Sequence, residues 1–264
     1  MVSRVGAAPA PSADALAFGD FLMSQQRYRE AEVEFERYAF AHPQDAQAAA
    51  AVERLLNAGL RTENWSFCLA LAREWAARTD GASRCAAQWT ESLALYHLEN
   101  YPAVVRAMPA PECSQDWQAR ARYLQGLSLL WEKDWTGASA QFKNVPPDSS
   151  LFAQASHAAH ESLTGPRLHL KSPTGAALLS AVLPGAGYAY ADRPQTAVAA
   201  FAVNALFLGG TYSAVHAGQP GVAGVVALFE LGWYMGAVYG SAQAADHENH
   251  RRLASLINPL EIHW

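Results

Sequence analysis

Charge is scarce in this chain: 43 of its 264 residues are Asp, Glu, Lys or Arg, or 16%, against about 25% in an average soluble protein. The scarcity is local. Residues 1–171 hold 35 of the charged residues and 246–264 hold five, whereas the 74 residues from Ser172 to Ala245 hold only Asp192, Arg193 and Glu230. A mean hydropathy of −0.07 therefore averages two halves made for different solvents. A broad basic field is also lacking. The net charge of −5 and the pI near 6.0 argue against nucleic acid as the main partner. With 51% apolar residues the chain fills a real core, which excludes disorder as its main theme.

Cysteine is nearly absent. Cys68, Cys85 and Cys113 are odd in number and lie 17 and 28 residues apart, so they read as buried small residues rather than a disulfide framework or a CxxC motif. The start of the chain has no basic residues followed by an apolar run. Residues 1–13 read as a flexible Ala/Pro/Ser lead that looks like the start of a mature exported protein, and an upstream leader stays open. Catalytic signatures are missing: there is no GxSxG elbow, Walker loop, GxGxxG or HExxH, so no enzyme activity, cofactor or metal is read. His157 with His160, and His247 with His250, have i,i+3 spacing without a third ligand, and read as surface helix residues.

What is present begins with helical periodicity. From Asp14 to Leu163 apolar residues recur every three or four positions, and no stretch alternates with period two for long, so the class is all-α. A longer period lies on top. Tyr28, Trp65, Tyr101 and Trp135 stand 37, 36 and 34 residues apart, each after a polar residue, as in helix-turn-helix repeats. Gly19, Tyr28, Ala31, Phe35 and Pro43 recur as Gly126, Trp135, Ala138 and Phe142. In this pattern small Gly and Ala let two helices approach, the aromatic plugs the turn, and Phe packs on the next hairpin. These residues resemble tetratricopeptide (TPR) repeats over residues 14–165, with Cys68 or Val104 where Ala31 stands in the two middle units. The resemblance implies a concave array that binds a protein partner. Residues 151–163 read as a capping helix, and Glu30, Glu32, Glu34 and Glu36 as a solvated surface.

Residues 172–245 read as a membrane domain, and 246–264 as a polar tail. Spans are expected at about 196–217 and 221–243, since each is long enough for a hydrocarbon core of about 30 Å. The segment 174–191 is short and interrupted by Pro184-Gly185-Ala186-Gly187, so a broken, re-entrant or interfacial helix is expected. Ser180-x3-Pro184-Gly185-x-Gly187-x2-Tyr190, followed by Arg193, Asn204, Glu230, Gly232, Gly236 and Gly240, resembles the C-terminal domain of bacterial TPR-containing membrane proteins of undefined role. That family commonly has Gln where this chain has Tyr188. The likeness implies a multi-pass protein of the bacterial inner membrane, and no reaction.

Two features of this half have a mechanism. Gly232, Gly236 and Gly240 form a bare stripe for close helix contact, expected mainly within the chain through Gly209 and Gly210, with another subunit as the alternative. Glu230 is costly in a bilayer by at least about 2.5–3.5 kcal/mol. It asks for a hydrogen bond to Asn204 or Thr211, a pair with Arg193, or a role as an ion or proton site. Arg167, Lys171, Arg193, Arg251 and Arg252 flank the spans, while the turn at Gly218–Pro220 is uncharged. If 174–191 does not cross, the charge rule puts the array in the cytoplasm by five to none, and an upstream leader would reverse this.

The functional expectation is a membrane-anchored TPR scaffold that binds a protein and holds it at the bilayer, in a membrane or envelope biogenesis complex, as a homo-oligomer or a complex subunit. The alternative is a small channel or transporter subunit using Glu230.

Overall fold

The computed structural model describes residues 16–42 and 47–262. Among these every regular element is helical, and the chain divides into two compact units between Leu163 and Thr164. The expected lead at 1–13 and the repeat-ending Pro43 lie outside the described residues.

The first unit is a run of helical hairpins: α1 (Ala17–Ser24) with α2 (Tyr28–Ala41), α3 (Ala48–Arg61) with α4 (Trp65–Arg78), α5 (Gly81–His97) with α6 (Tyr101–Arg106), α7 (Gln115–Trp131) with α8 (Trp135–Lys143), then α9 (Phe152–Ser162). Each turn aromatic is the first residue of its second helix. Two positions earlier stand Gln26, Glu63, Glu99 and Lys133, with φ of 58°, 55°, 57° and 64°. This left-handed residue stops the first helix and turns the chain back. In three of the turns the closure is the same: Arg27 N–H donates to Leu22 O, Asn100 to Leu95 O and Asp134 to Leu129 O, each at 2.9 Å.

Packing repeats with the turns in the outer hairpins. A Cβ on Gly19 would stand 2.7 Å from Phe35 Cζ, and one on Gly126 would stand 2.6 Å from Phe142 Cε1, so in both the ring occupies the space that glycine leaves. Ala31, Ala138, Cys68 and Val104 fill one equivalent position and all are buried. The second hairpin exchanges sizes, with Leu56 in the glycine place and Ala72 in the phenylalanine place, both in one buried cluster. The third departs further. Its second helix stops at Arg106, and residues 107–114 continue as a non-helical strap. The array closes on α9, where Ser139 Oγ donates to Ala159 O at 2.8 Å.

The strap corrects the cysteine reading. Cys85 on α5 and Cys113 in the strap form a disulfide, with Cα atoms 5.7 Å apart; only Cys68 is free. An odd count says nothing about which two side chains a fold brings within bonding reach, and here the truncated α6 turns the chain back over α5.

The second unit contains α10 (Pro173–Val182), α11 (Ala186–Tyr190), α12 (Pro194–His216) and α13 (Pro220–Ile257). Proline opens α10, α12 and α13, at the position where its missing N–H is not needed. Leu183 is extended (φ −136°, ψ 109°) ahead of Pro184, and Gly185 takes φ 92°, which breaks the first apolar segment as expected. α12 and α13 are long and apolar enough to cross a membrane, and only 17% and 11% of their most apolar windows are buried. The core helix of a soluble protein would be mostly covered. The boundary at residue 245 is compositional rather than structural, because α13 runs unbroken through it to Ile257, two residues before Pro259.

Candidate functional site

In the first unit the concave feature is a groove of about 300 Å³ lined by Trp89, Trp117, Arg73, Arg106, Gln88 and Met108, among others. The two indoles lie 6.1 Å apart between centroids. Arg73 Nε pairs with Glu91 at 2.8 Å, and the guanidinium of Arg120 sits 5.2 Å over the Trp117 ring. The strap supplies Ala107, Met108 and Pro109 to this wall. Gln88 Oε1 accepts from Ala110 N–H at 3.0 Å, and Gln125 Nε2 donates to Ala107 O at 2.6 Å. Such a site, aromatic with a few charged groups, suits an extended segment better than a reacting small molecule.

In the second unit the motif residues form a closely packed centre. Ser180 is fully buried and its Oγ accepts from Gly187 N–H at 3.1 Å. A Cβ on Gly187 would meet Ala176 O and, at 2.7 Å, the hydroxyls of Ser180 and Ser241. Ser241 Oγ donates to Ala176 O at 3.1 Å and Tyr234 Oη to Ala181 O, which fixes α10 against α13. Gly185 approaches the backbone of Ala197, and Gly240 approaches Tyr188 Oη. Tyr190 Oη accepts from Ser172 N–H at 3.0 Å. The break at Pro184 thus folds α11 back along α10, and both ends of the segment return to one place.

That place is a charged clamp which the sequence does not announce. Arg252 on α13 donates to Asp192 Oδ2 at 2.7 Å, to Glu248 Oε1 at 2.8 Å and to His169 O at 2.7 Å. The Glu248 hydrogen bond first, and Asp192 with it, raise the guanidinium pKa above its ordinary value. Lys171 Nζ stands 3.3 Å from Asp192 and 5.1 Å over the Tyr190 ring. Asn249 takes both polar groups of the Lys171 backbone, accepting from N–H at 2.6 Å and donating to O at 2.8 Å.

The remaining sites part company with expectation. Gly232 and Gly236 have nothing within 4 Å of a built Cβ, and neither does Gly209; Gly210 meets only Val226 Cγ1 at 3.7 Å. The stripe is therefore not filled by the first span. Antiparallel helices joined by a three-residue turn contact along other positions, and Gly240 alone of the three is closed. Instead Gly232 and Gly236 line an apolar groove of about 570 Å³ with Tyr188, Ala200, Val203 and Phe229. Glu230 makes no ion pair among the described residues: Arg193 caps α12, and the clamp takes Asp192 instead. Asn204 is buried and back-bonds to Ala200 O at 2.6 Å. Its Oδ1, Thr211 Oγ1 and Glu230 Oε2 are buried without a hydrogen-bond partner.

His157, His160, His247 and His250 are exposed helix residues, and no group of three metal-binding side chains occurs among the described residues. Glu30 and Glu34 pair with Arg27 and Arg37, while Glu32 accepts from Thr62 Oγ1 at 2.7 Å. No protein-family model, curated protein or solved structure matches the chain.

Proposed function

We propose that the chain is a membrane-anchored scaffold of TPR type, multi-pass in a bacterial inner membrane. Its repeat unit binds a protein partner through the Trp89–Trp117 groove, and its second unit holds that partner at the bilayer, within a membrane or envelope biogenesis complex. The output is binding rather than chemistry. The observation that carries this reading is the contrast between units: a repeat array with a closed core, and two apolar helices left largely uncovered. In water that uncovered surface would drive aggregation; in lipid it is solvated. The segment 174–191 then enters and leaves from one side as a re-entrant hairpin. Its break is tolerated because Ser180, Gly187 and Ser241 satisfy backbone groups within the protein.

Alkaline carbonate extraction of native membranes tests the anchor, with the full chain expected in the pellet. Photocrosslinking from Trp89 and Trp117 positions in the full-length protein tests the groove. Release into the supernatant, or absence of any crosslinked protein, overturns the scaffold.

A second reading, a channel or transporter subunit, is favoured by Glu230, Asn204 and Thr211, whose buried oxygens lack partners. Glu230→Gln separates the two. Loss of proton or cation flux in proteoliposomes with partner binding intact supports transport, and unchanged flux removes it.

A further inference from the structure

The disulfide is placed where the repeat is weakest. α6 has six residues, and the strap after it leaves Met108 63% exposed, so little apolar burial holds it. Cys85 and Cys113 are themselves buried, in line with a covalent bond that takes over from a missing core. Cys113 N–H donates to Ala110 O at 2.9 Å and Gln118 Nε2 to Cys113 O at 3.2 Å. The pair is thus held in an ordered turn, and Cys85 itself lines the Trp89–Trp117 groove.

We infer that the repeat unit works in an oxidising compartment on the non-cytoplasmic side of the membrane, where the Cys85–Cys113 bond forms and sets the strap as one wall of the groove. A structural cystine of this kind persists only where thiols are not kept reduced. Two thiols give up two protons and two electrons as the S–S bond forms. The electrons pass by exchange to the disulfide of a protein thiol oxidant, which becomes a dithiol, and the protons pass to water.

The compartment extends along the chain. Residues 164–171 contain Arg167 and Lys171 and no apolar run, so nothing there crosses a bilayer. The ends of the α10–α11 hairpin meet at Lys171 and Asp192, and Arg252 joins them. The charged end and the C-terminal tail are therefore on the oxidising side, and the Gly218–Pro220 turn is on the other. This last step rests on the membrane reading; the oxidised state does not.

Two measurements on the full chain in intact cells test it. Thiols are trapped by acid quench and alkylated with a maleimide-polyethylene glycol after denaturation. One mass addition, at Cys68, is expected before reduction and three after it, whereas Cys113→Ser should show two without reduction. Three additions without reduction in the wild type overturn the inference. For sidedness, Ser255→Cys and Gln219→Cys, each in a Cys68→Ala background, are probed with a membrane-impermeant maleimide. Labelling of Ser255→Cys in cells with an intact inner membrane, and of Gln219→Cys only after that membrane is opened, is expected. The reverse pattern overturns the assignment of side. Equal labelling of both in intact cells sinks the membrane anchor instead and leaves the oxidised groove standing.

Discussion

Replacing Gly126 with alanine tests whether the repeat rests on one ring filling one missing side chain. The new Cβ would lie 2.6, 2.7 and 2.9 Å from Cε1, Cζ and Cδ1 of Phe142, where carbon atoms prefer about 3.5–4.0 Å. Phe142 is 1% exposed and Tyr123 packs on its ring at 5.0 Å, so the ring cannot move aside freely. Overpacking of this kind costs about 1–3 kcal/mol, and a clash with three ring atoms belongs at the upper end. Alanine returns about 1 kcal/mol of helix propensity, which leaves about 2 kcal/mol of net loss. For a unit of this size that corresponds to a melting point lower by about 4–8 °C. Circular dichroism of the detergent-solubilised full-length protein measures it. Adding Phe142→Leu to Gly126→Ala should recover part of the loss, with a coupling of at least about 1 kcal/mol across the cycle. Gly232→Ala is the control, because nothing lies within 4 Å of its built Cβ, and it should change stability by no more than about 0.5 kcal/mol. Additive effects of Gly126→Ala and Phe142→Leu, or an unchanged melting point in the single variant, would refute the packing argument.

Asn249→Ala removes both hydrogen bonds to the Lys171 backbone and should cost about 2–3 kcal/mol of local stability. Trypsin should then cut at Arg167 or Lys171 faster in lipid nanodiscs, and an unchanged cleavage rate would remove the clamp. Burial, with Glu32 nearby, pushes the Cys68 thiol from 9.0 up to about 11. The unfolded thiol ionises first, so this contribution to stability is complete below pH 9.0 and is lost as pH rises towards about 11. Cys68→Ala, which places here the residue found at Ala31 and Ala138, should flatten the alkaline fall in denaturant midpoint; an identical fall in both proteins would exclude Cys68 as its source.

The turn aromatics were legible because each is bulky and recurs at a nearly fixed interval, and all four open a helix. The helix ends before them were not. Gln26, Glu63, Glu99 and Lys133 hold left-handed conformations that sequence rules assign to glycine, so the hairpins could be placed only by the following ring. The broken segment was readable from Pro184 and Gly185, whose backbone restrictions act locally. The clamp was hidden, since Asn249 and Lys171 are 78 residues apart and nothing in either neighbourhood refers to the other. The same limit hid the Cys85–Cys113 pair. Gly232 and Gly236 show the converse error: a correct local pattern was given the wrong neighbour, because a stripe of small residues says what could approach but not what does.

Charge counting and the cystine assign opposite sides to the same end of the second unit, and the structure explains why the count is the weaker guide. The rule counts lysine and arginine as free charges that resist passage through a membrane. Two of the five here have other work in the fold. Arg252 ties Leu168, His169 and Asp192 to α13, with Glu248 beside it on the same helix, and Lys171 spans Asp192 and the Tyr190 ring. A re-entrant hairpin must have its entry and exit held together, or its broken backbone would open into lipid, and cations paired across 60 residues do that on either face of the bilayer. A cystine has no such second use in a reducing compartment. It follows that neutralising Arg193 or Arg251, which hold no part of the hairpin together, should leave the Ser255→Cys labelling side unchanged, whereas Arg252→Ala should expose the hairpin to trypsin without inverting the chain.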